Sequence, residues 1–192
     1  MAAVASSHPG QRIELWFQDE ARFGQQGSNS RIWADTGSRP RAPRQTEYDF
    51  LYLFAACCPE TGQSNAWLMP AANTQTMNGQ LADLGRQLPD EVHVVLVLDG
   101  AGWHHSTGLA VPPNLTLVHL PAYAPELNPI ERVWRELRQR YLSNRIYPDA
   151  EALEDAVASA WMTLTEDPRR LGSLTDYPWI QTARQQQTTK EI

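Results

Sequence analysis

The sequence predicts an α/β domain built on a mixed sheet: an antiparallel meander, then a parallel strand reached through a helix. Three observations predict it. Residues 12–19 (RIELWFQD) alternate apolar and polar side chains, as a strand with one covered face does. Residues 49–58 and 63–69 are apolar runs joined by Pro59, Glu60, Thr61 and Gly62, a hairpin signal. Residues 74–88 carry a helical stripe and lead into Val92–Leu98, which is apolar at every position but His93. That last run reads as a central strand covered on both faces, parallel to its sheet neighbour because a helical crossover feeds it.

Taken in order, residues 1–10 (MAAVASSHPG) read as a flexible N-terminus, without the basic and apolar regions of a secretory signal. The first strand places Ile13, Leu15, Phe17 and Asp19 on one face. An acid on a core-facing side is costly to bury unpaired. Asp19 is therefore expected at the strand end, beside a metal or a cation, the alternative being a solvated strand-end acid. Glu20 points the other way and is the weaker candidate. Residues 21–48 are rich in glycine, arginine and polar side chains, with an Asp35-Thr36-Gly37 turn signal, and predict a basic arm or hairpin. Arg31, Trp33 and Arg39 could follow a nucleic-acid backbone, with Trp33 free to stack on a base. A solvated loop with Trp33 anchored in the core accounts for the same residues. Cys57 and Cys58 fall in an apolar run and read as buried core thiols.

In the second half, Met77, Leu81, Leu84 and Leu88 form the stripe of the helix over 74–88. The strand over 92–98 ends at Asp99, followed by Gly100, Ala101 and Gly102. A carboxylate at the carboxyl edge of a central strand, with small neighbours, is a common site position. If this strand pairs with the first, Asp19 and Asp99 end at the same edge. His104 and His105 follow, as metal ligand, phosphate contact or ordinary loop residues. A shorter strand is expected over 115–120. Pro121, Pro125 and Pro129 then punctuate a loop before a helix that begins near Asn128 and runs to 142. Its stripe is Ile130, Val133, Trp134, Leu137 and Tyr141, and Glu131 lies at the flank, about 100° from Ile130. Two readings of Glu131 stand. Asn128, Pro129 and Glu131 spell a capping box, and Arg135 is placed for an i,i+4 pair. Equally, the flank of the stripe is where a helix carboxylate meets one at a strand end. A last helix is expected over 149–164, with Leu153, Val157, Trp161 and Leu164 inward. The domain division is thus a terminus at 1–10, a catalytic domain at 11–165 that includes the 21–48 arm, and a C-terminal extension with a frayed tail at 166–192.

Composition narrows the classes. The chain has 192 residues, 42% of them hydrophobic and 20% charged, as in one globular domain. No apolar run approaches the roughly 18 residues of a membrane span. Two adjacent cysteines make neither a disulfide framework nor a zinc pair, which predicts a reducing, cytoplasmic setting. The net charge of −6 argues against a binder that uses its whole surface on nucleic acid. Distribution matters more. In 20–48 five arginines face three acids, in 132–145 five arginines face one, and in 149–192 four bases face eight acids. Two basic stretches thus bracket the candidate acids. All but one of the 16 basic residues are arginine, whose fork suits phosphate, although codon bias yields the same excess. No phosphate loop or dinucleotide fingerprint is present.

The series FQDE, VLDGAGWHHS and LPAYAPELNPIERVW resembles the catalytic domain of mariner-type DDE transposases, in particular their bacterial insertion-sequence branch. RIWADTGSRP resembles the W-x-x-x-G-x-x-P arm of that branch. The resemblance covers roughly residues 12–145. It implies a ribonuclease-H-like fold: a mixed five-stranded sheet, antiparallel meander then parallel strands, with helices on both faces. It implies catalytic and metal-binding roles for Asp19, Asp99 and Glu131, holding two Mg²⁺ ions (or Mn²⁺), and metal-dependent DNA strand cleavage and strand transfer. Such a site suits the chemistry, since two ions supply a polarised phosphoryl oxygen, an activated nucleophile and a stabilised leaving oxygen. It further implies DNA contacts by Arg31, Trp33, Arg39, Arg41, His104, Arg135 and Arg138. The partners implied are transposon terminal inverted repeats, target DNA, an N-terminal helix-turn-helix segment in cis or in trans, and a second copy on the DNA. The implied location is cytoplasmic and nucleoid-associated, with no membrane partner. Alternatives are a metal-dependent nuclease or resolvase of the same fold, and an inactive DNA-binding or assembly remnant. One departure is visible: 31 residues separate Asp99 from Glu131, a few fewer than is usual in the family.

Overall fold

The computed structural model describes residues 2–182 apart from 28, 32, 39, 40, 42–44, 122 and 123. A five-stranded mixed sheet organises the chain. Its strands are β1 (Arg12–Gly24), β2 (Phe50–Cys57), β3 (Ser64–Met69), β4 (Val92–Leu98) and β5 (Leu115–His119), in the order β3-β2-β1-β4-β5. β1, β2 and β3 are an antiparallel meander, while β4 and β5 run parallel to β1. The expected topology is therefore found. β1 is longer than its alternating pattern, because β2 pairs with it as far as Gly24 after β4 has left it at Phe17.

Alternation along β1 sorts its side chains to two covered faces. Trp16 packs with β2, β4 and the helix α2 (Thr74–Gln87), whose Met77, Leu81 and Leu84 are buried there. Asn73 caps α2 by accepting the Thr76 amide. On the other face, Ala21 and Phe23 pack under α3 (Ile130–Glu136) and α4 (Ala150–Thr165). The α3 cylinder continues as a π-type turn over Leu137–Tyr141, closed by the Leu142 amide on the Leu137 carbonyl. Asp149 caps α4 through the Ala152 amide.

Two expectations about the ends are corrected. Residues Ala2–Ser7 form a short helix, α1, with Val4 packed against Leu15, Phe17, Val95 and Val97. His8 also stacks on the buried His93, at 3.7 Å between ring centroids. Beyond 165, α5 (Pro168–Thr175) buries Leu171 and Thr175, and Ile180 is fully buried against Phe17 and Val97. No periodic stripe in 1–10 or 166–182 signals this, since single apolar residues there, Val4 and Ile180, cover the part of the sheet around Leu15, Phe17, Val95 and Val97. Residues 183–192, expected to fray, lie outside the described residues.

Candidate active site

The parallel register of β1 and β4 positions the first two acids. Phe17 pairs with Val97, so two residues further on Asp19 comes beside Asp99, where β4 has just ended. Asp19 lies on the α3 face of β1. Its Oδ2 accepts from Trp134 Nε1 at 2.8 Å and its Oδ1 from the Glu20 amide at 2.9 Å. Asp99 Oδ1 accepts the Ala101 amide at 2.9 Å and faces His104 Nδ1 at 2.8 Å.

The third acid is delivered by Asn128. Its buried side chain donates to the Gln18 carbonyl at 3.0 Å and accepts the Ile130 amide at 3.2 Å. One residue thus ties the start of α3 to β1, immediately before Asp19, and brings Glu131 onto the same side of the sheet. No bond from Glu131 to the Asn128 amide closes a capping box among the described residues, and the Glu131 side chain is exposed. The predicted cap exists, but Asn128 supplies it alone.

Asp19 senses the other two acids. Burial pushes the Asp19 carboxyl up to about 7, opposed by the Trp134 hydrogen bond and the Glu20 amide and reinforced by the charges of Glu131 and Asp99. Among the described residues, no three acid, histidine or cysteine side chains form a ready metal cage. The donor set nevertheless fits a hard divalent cation: three carboxylates from separate elements, gathered closely enough that Glu131 and Asp99 help raise the desolvated Asp19.

Beside Glu131 opens a groove of about 1030 Å³, lined in part by Arg31, Arg132, Arg135, Arg138 and Tyr177. Arg132 lies over the Tyr177 ring at 4.0 Å from its centroid. Ser30 is bonded to Ser143 and Asn144 just past α3, which carries Arg31 to the groove wall. Asn144 adopts the left-handed backbone (φ 57°) that this turn requires. The far end of the arm is fastened too, since Tyr147 donates its amide to Gln45. Between these ties, Ser38 bonds back to Asp35 across the predicted turn, and Trp33 is wholly exposed. Trp33 is therefore not a core anchor. Arg41 and Arg135 are exposed, Arg138 is half-buried over Phe23, and Arg39 lies outside the described residues.

His104 corrects an expectation. Its side chain is entirely buried and faces Asp99 and Glu20, so it does not present itself to a phosphate. Sequence reading missed Arg132, Tyr177, Asn128 and Trp134 as site residues. Arg132 was legible as part of the basic run, whereas Asn128 and Trp134 looked like a cap and a core residue.

Comparison with known proteins agrees with this geometry. The family model described as DDE superfamily endonuclease matches residues 14–154, from the start of β1 into α4. The chain belongs to that family. It is 41% identical over 128 residues to the y4pE/y4sA protein of Sinorhizobium fredii, covering 67% of this chain and 95% of that one. Over 55 residues it is 35% identical to the Tc3 transposase of Caenorhabditis elegans, covering 28% of this chain and 17% of Tc3. A Mos1 transposase paired-end complex with a left transposon end superposes at a TM-score of 0.64 and 15% identity, over 84% of this chain and 51% of that one. Mos1 paired-end complexes with Mn and with Mg superpose at 0.60 and 0.62, each at 15% identity. They cover 85% and 84% of this chain and 56% and 51% of theirs. This DDE-family chain thus has the ribonuclease-H-like fold of Mos1, and spans about half the length of the Mos1 chains.

Proposed function

We propose that the chain is the catalytic domain of a transposase, performing divalent-metal-dependent cleavage of DNA strands and their transfer to a target. The observation that carries this reading is the convergence of Asp19, Asp99 and Glu131, with Asp19 desolvated and raised further by the other two, beside an arginine-lined groove that includes Glu131. Asp19, Asp99 and Glu131 would hold two Mg²⁺ or Mn²⁺ ions, which when bound polarise the scissile phosphate and activate the attacking oxygen. The chain's own groups do the rest. Trp134 and the Glu20 amide fix both oxygens of Asp19. Arg31, Arg132, Arg135 and Arg138 lie along one wall, where phosphates of a strand crossing Glu131 would be neutralised in register. The exposed arm with Trp33 and Arg41 extends that surface, and Trp33 is free to stack on a base.

A plasmid-nicking assay tests this. The chain should convert supercoiled DNA to open circles with Mg²⁺ or Mn²⁺ and not with EDTA, and Asp99→Asn should abolish the conversion. Nicking that survives Asp99→Asn overturns the assignment. Joining of a 3′-hydroxyl end to a second duplex distinguishes a transposase from a nuclease of the same fold. Terminal inverted repeats as substrate, a second copy as partner and action at the nucleoid belong to the same proposal.

A further inference from the structure

Asp19 and Glu20 are adjacent on β1 and therefore point to opposite faces of the sheet. Asp19 enters the site directly. Glu20 goes to the α2 face, where its side chain is only 10% exposed. An acid buried to that degree requires a compensating partner. Its Oε2 lies 3.6 Å from His104 Nε2, on the short turn Gly102–His105 that follows β4. The other ring nitrogen of His104 faces two acceptors of one residue, Asp99 Oδ1 at 2.8 Å and the Asp99 carbonyl at 3.1 Å. Both are acceptors, so Nδ1 carries the hydrogen and donates. Nε2 then bears the lone pair, and 3.6 Å is longer than a hydrogen bond, so it engages Glu20 only when a proton lies between them. One imidazole thus faces the ends of both β1 and β4, the two strands that deliver the first two acids.

The turn that carries the ring is itself held. His119 on β5 faces the His104 carbonyl through Nε2 at 3.1 Å, and the His104 amide donates to the Ala101 carbonyl at 2.9 Å. Asp99 is 51% exposed, and without such support its carboxylate would be free to rotate. The Ala101 amide and His104 are both directed at Oδ1, and Oδ2 takes part in neither bond. Imidazoles and carboxylates that orient a metal-binding group without touching the metal have this arrangement.

We propose that His104 and Glu20 are positioning residues that lock the Asp99 carboxylate, and so set the metal affinity of the site. The inference rests on the metal-site reading above. In it Glu20 acts only through His104, and the two acids of the Asp19-Glu20 pair serve one centre from opposite faces of the sheet.

Mn²⁺ titration of the full chain, followed by the loss of the free-ion EPR signal and without DNA, tests it. His104→Leu keeps volume and removes the donor, and should weaken Mn²⁺ binding about 10–100-fold. His104→Asn, which can donate to Asp99, should recover most of that loss at a similar melting temperature. Glu20→Gln should weaken binding less, and should add nothing to His104→Leu. A His104→Leu protein that binds Mn²⁺ within twofold of the parent, or equal losses in the Leu and Asn variants, overturns the proposal. Where His104→Leu fails to fold, unchanged affinity in Glu20→Gln overturns it alone. Asp99→Ala separates the two readings: if it leaves Mn²⁺ affinity intact, the metal-site assignment itself has failed.

Discussion

Trp134 Nε1 donates to Asp19 Oδ2 at 2.8 Å, so a buried helix residue holds a strand carboxylate in the site. Trp134 also packs against Phe23 and Trp161, so its ring belongs to the core and only its N–H belongs to the chemistry. Trp134→Phe separates the two roles. A hydrogen bond to a charged acceptor contributes about 1.5–3 kcal/mol, and losing it should raise the Asp19 carboxyl above its present value of about 7. The pH midpoint of Mn²⁺ binding should rise accordingly, as a pH series of titrations would show. An unmoved midpoint assigns Trp134 to packing alone.

Asp19 also makes stability depend on pH. Its carboxyl titrates near 3.8 when unfolded and at about 7 when folded. Across that window the folded state holds a proton that the unfolded state has lost, so stability falls as pH rises and levels off above the folded value. Asp19→Asn removes this penalty. In EDTA, the variant should melt higher than the parent at pH 8, with the difference vanishing towards pH 4. The ceiling on the gain is about 4 kcal/mol. A gap that stays constant with pH would show that Asp19 is not the group responsible.

Glu131→Gln distinguishes the two sequence readings of that position. Because Asn128 caps α3 without help from Glu131, the substitution should leave the melting temperature within about 2 °C, since exposed substitutions cost under about 0.5 kcal/mol. Glutamine is a poor ligand for a hard cation, so metal-dependent nicking should disappear. Normal nicking by the variant would remove Glu131 from the site.

The groove arginines should act as phosphate contacts. Arg132→Ala and Arg135→Ala should each weaken duplex binding uniformly across sequences, and each should reduce the slope of log K against log salt by about 1. Arg140→Ala, whose guanidinium pairs with Glu136, serves as the control and should leave the slope unchanged. Equal slopes in all three would place the DNA elsewhere.

The sheet was legible because period-2 alternation in β1 and the unbroken apolar run of β4 leave little choice of environment. The edge shared by Asp19 and Asp99 followed from a single assumption, that the helical crossover pairs β4 with β1. Glu131 was harder, since a first-turn glutamate serves a cap and a site equally well in sequence. What decided the geometry was Asn128 reaching the Gln18 carbonyl, a contact across 110 residues that no local pattern encodes. His104 was misread for the same reason. Local spacing places it beside Asp99, but its burial depends on Glu20 and β5, which arrive from distant parts of the chain. The ends were missed because Val4 and Ile180 act as single plugs and not as periodic faces.

The last prediction concerns specificity. The groove presents chiefly arginine guanidinium groups, which position a duplex through its phosphates and carry little sequence information. The net charge of −6 keeps background attraction weak and leaves the local basic surface to account for the affinity. Such binding is steeply salt-dependent and almost indifferent to sequence. The 192-residue chain should therefore bind transposon-end and scrambled duplexes equally, and any nicking should be non-specific. Discrimination should appear only when a sequence-reading segment is supplied, in cis or in trans. A competition assay at physiological salt measures this directly. Preference of the chain alone for one terminal repeat by more than about tenfold, or about 1.4 kcal/mol, would place base recognition within these residues, with the exposed arm around Trp33 as the first surface to mutate.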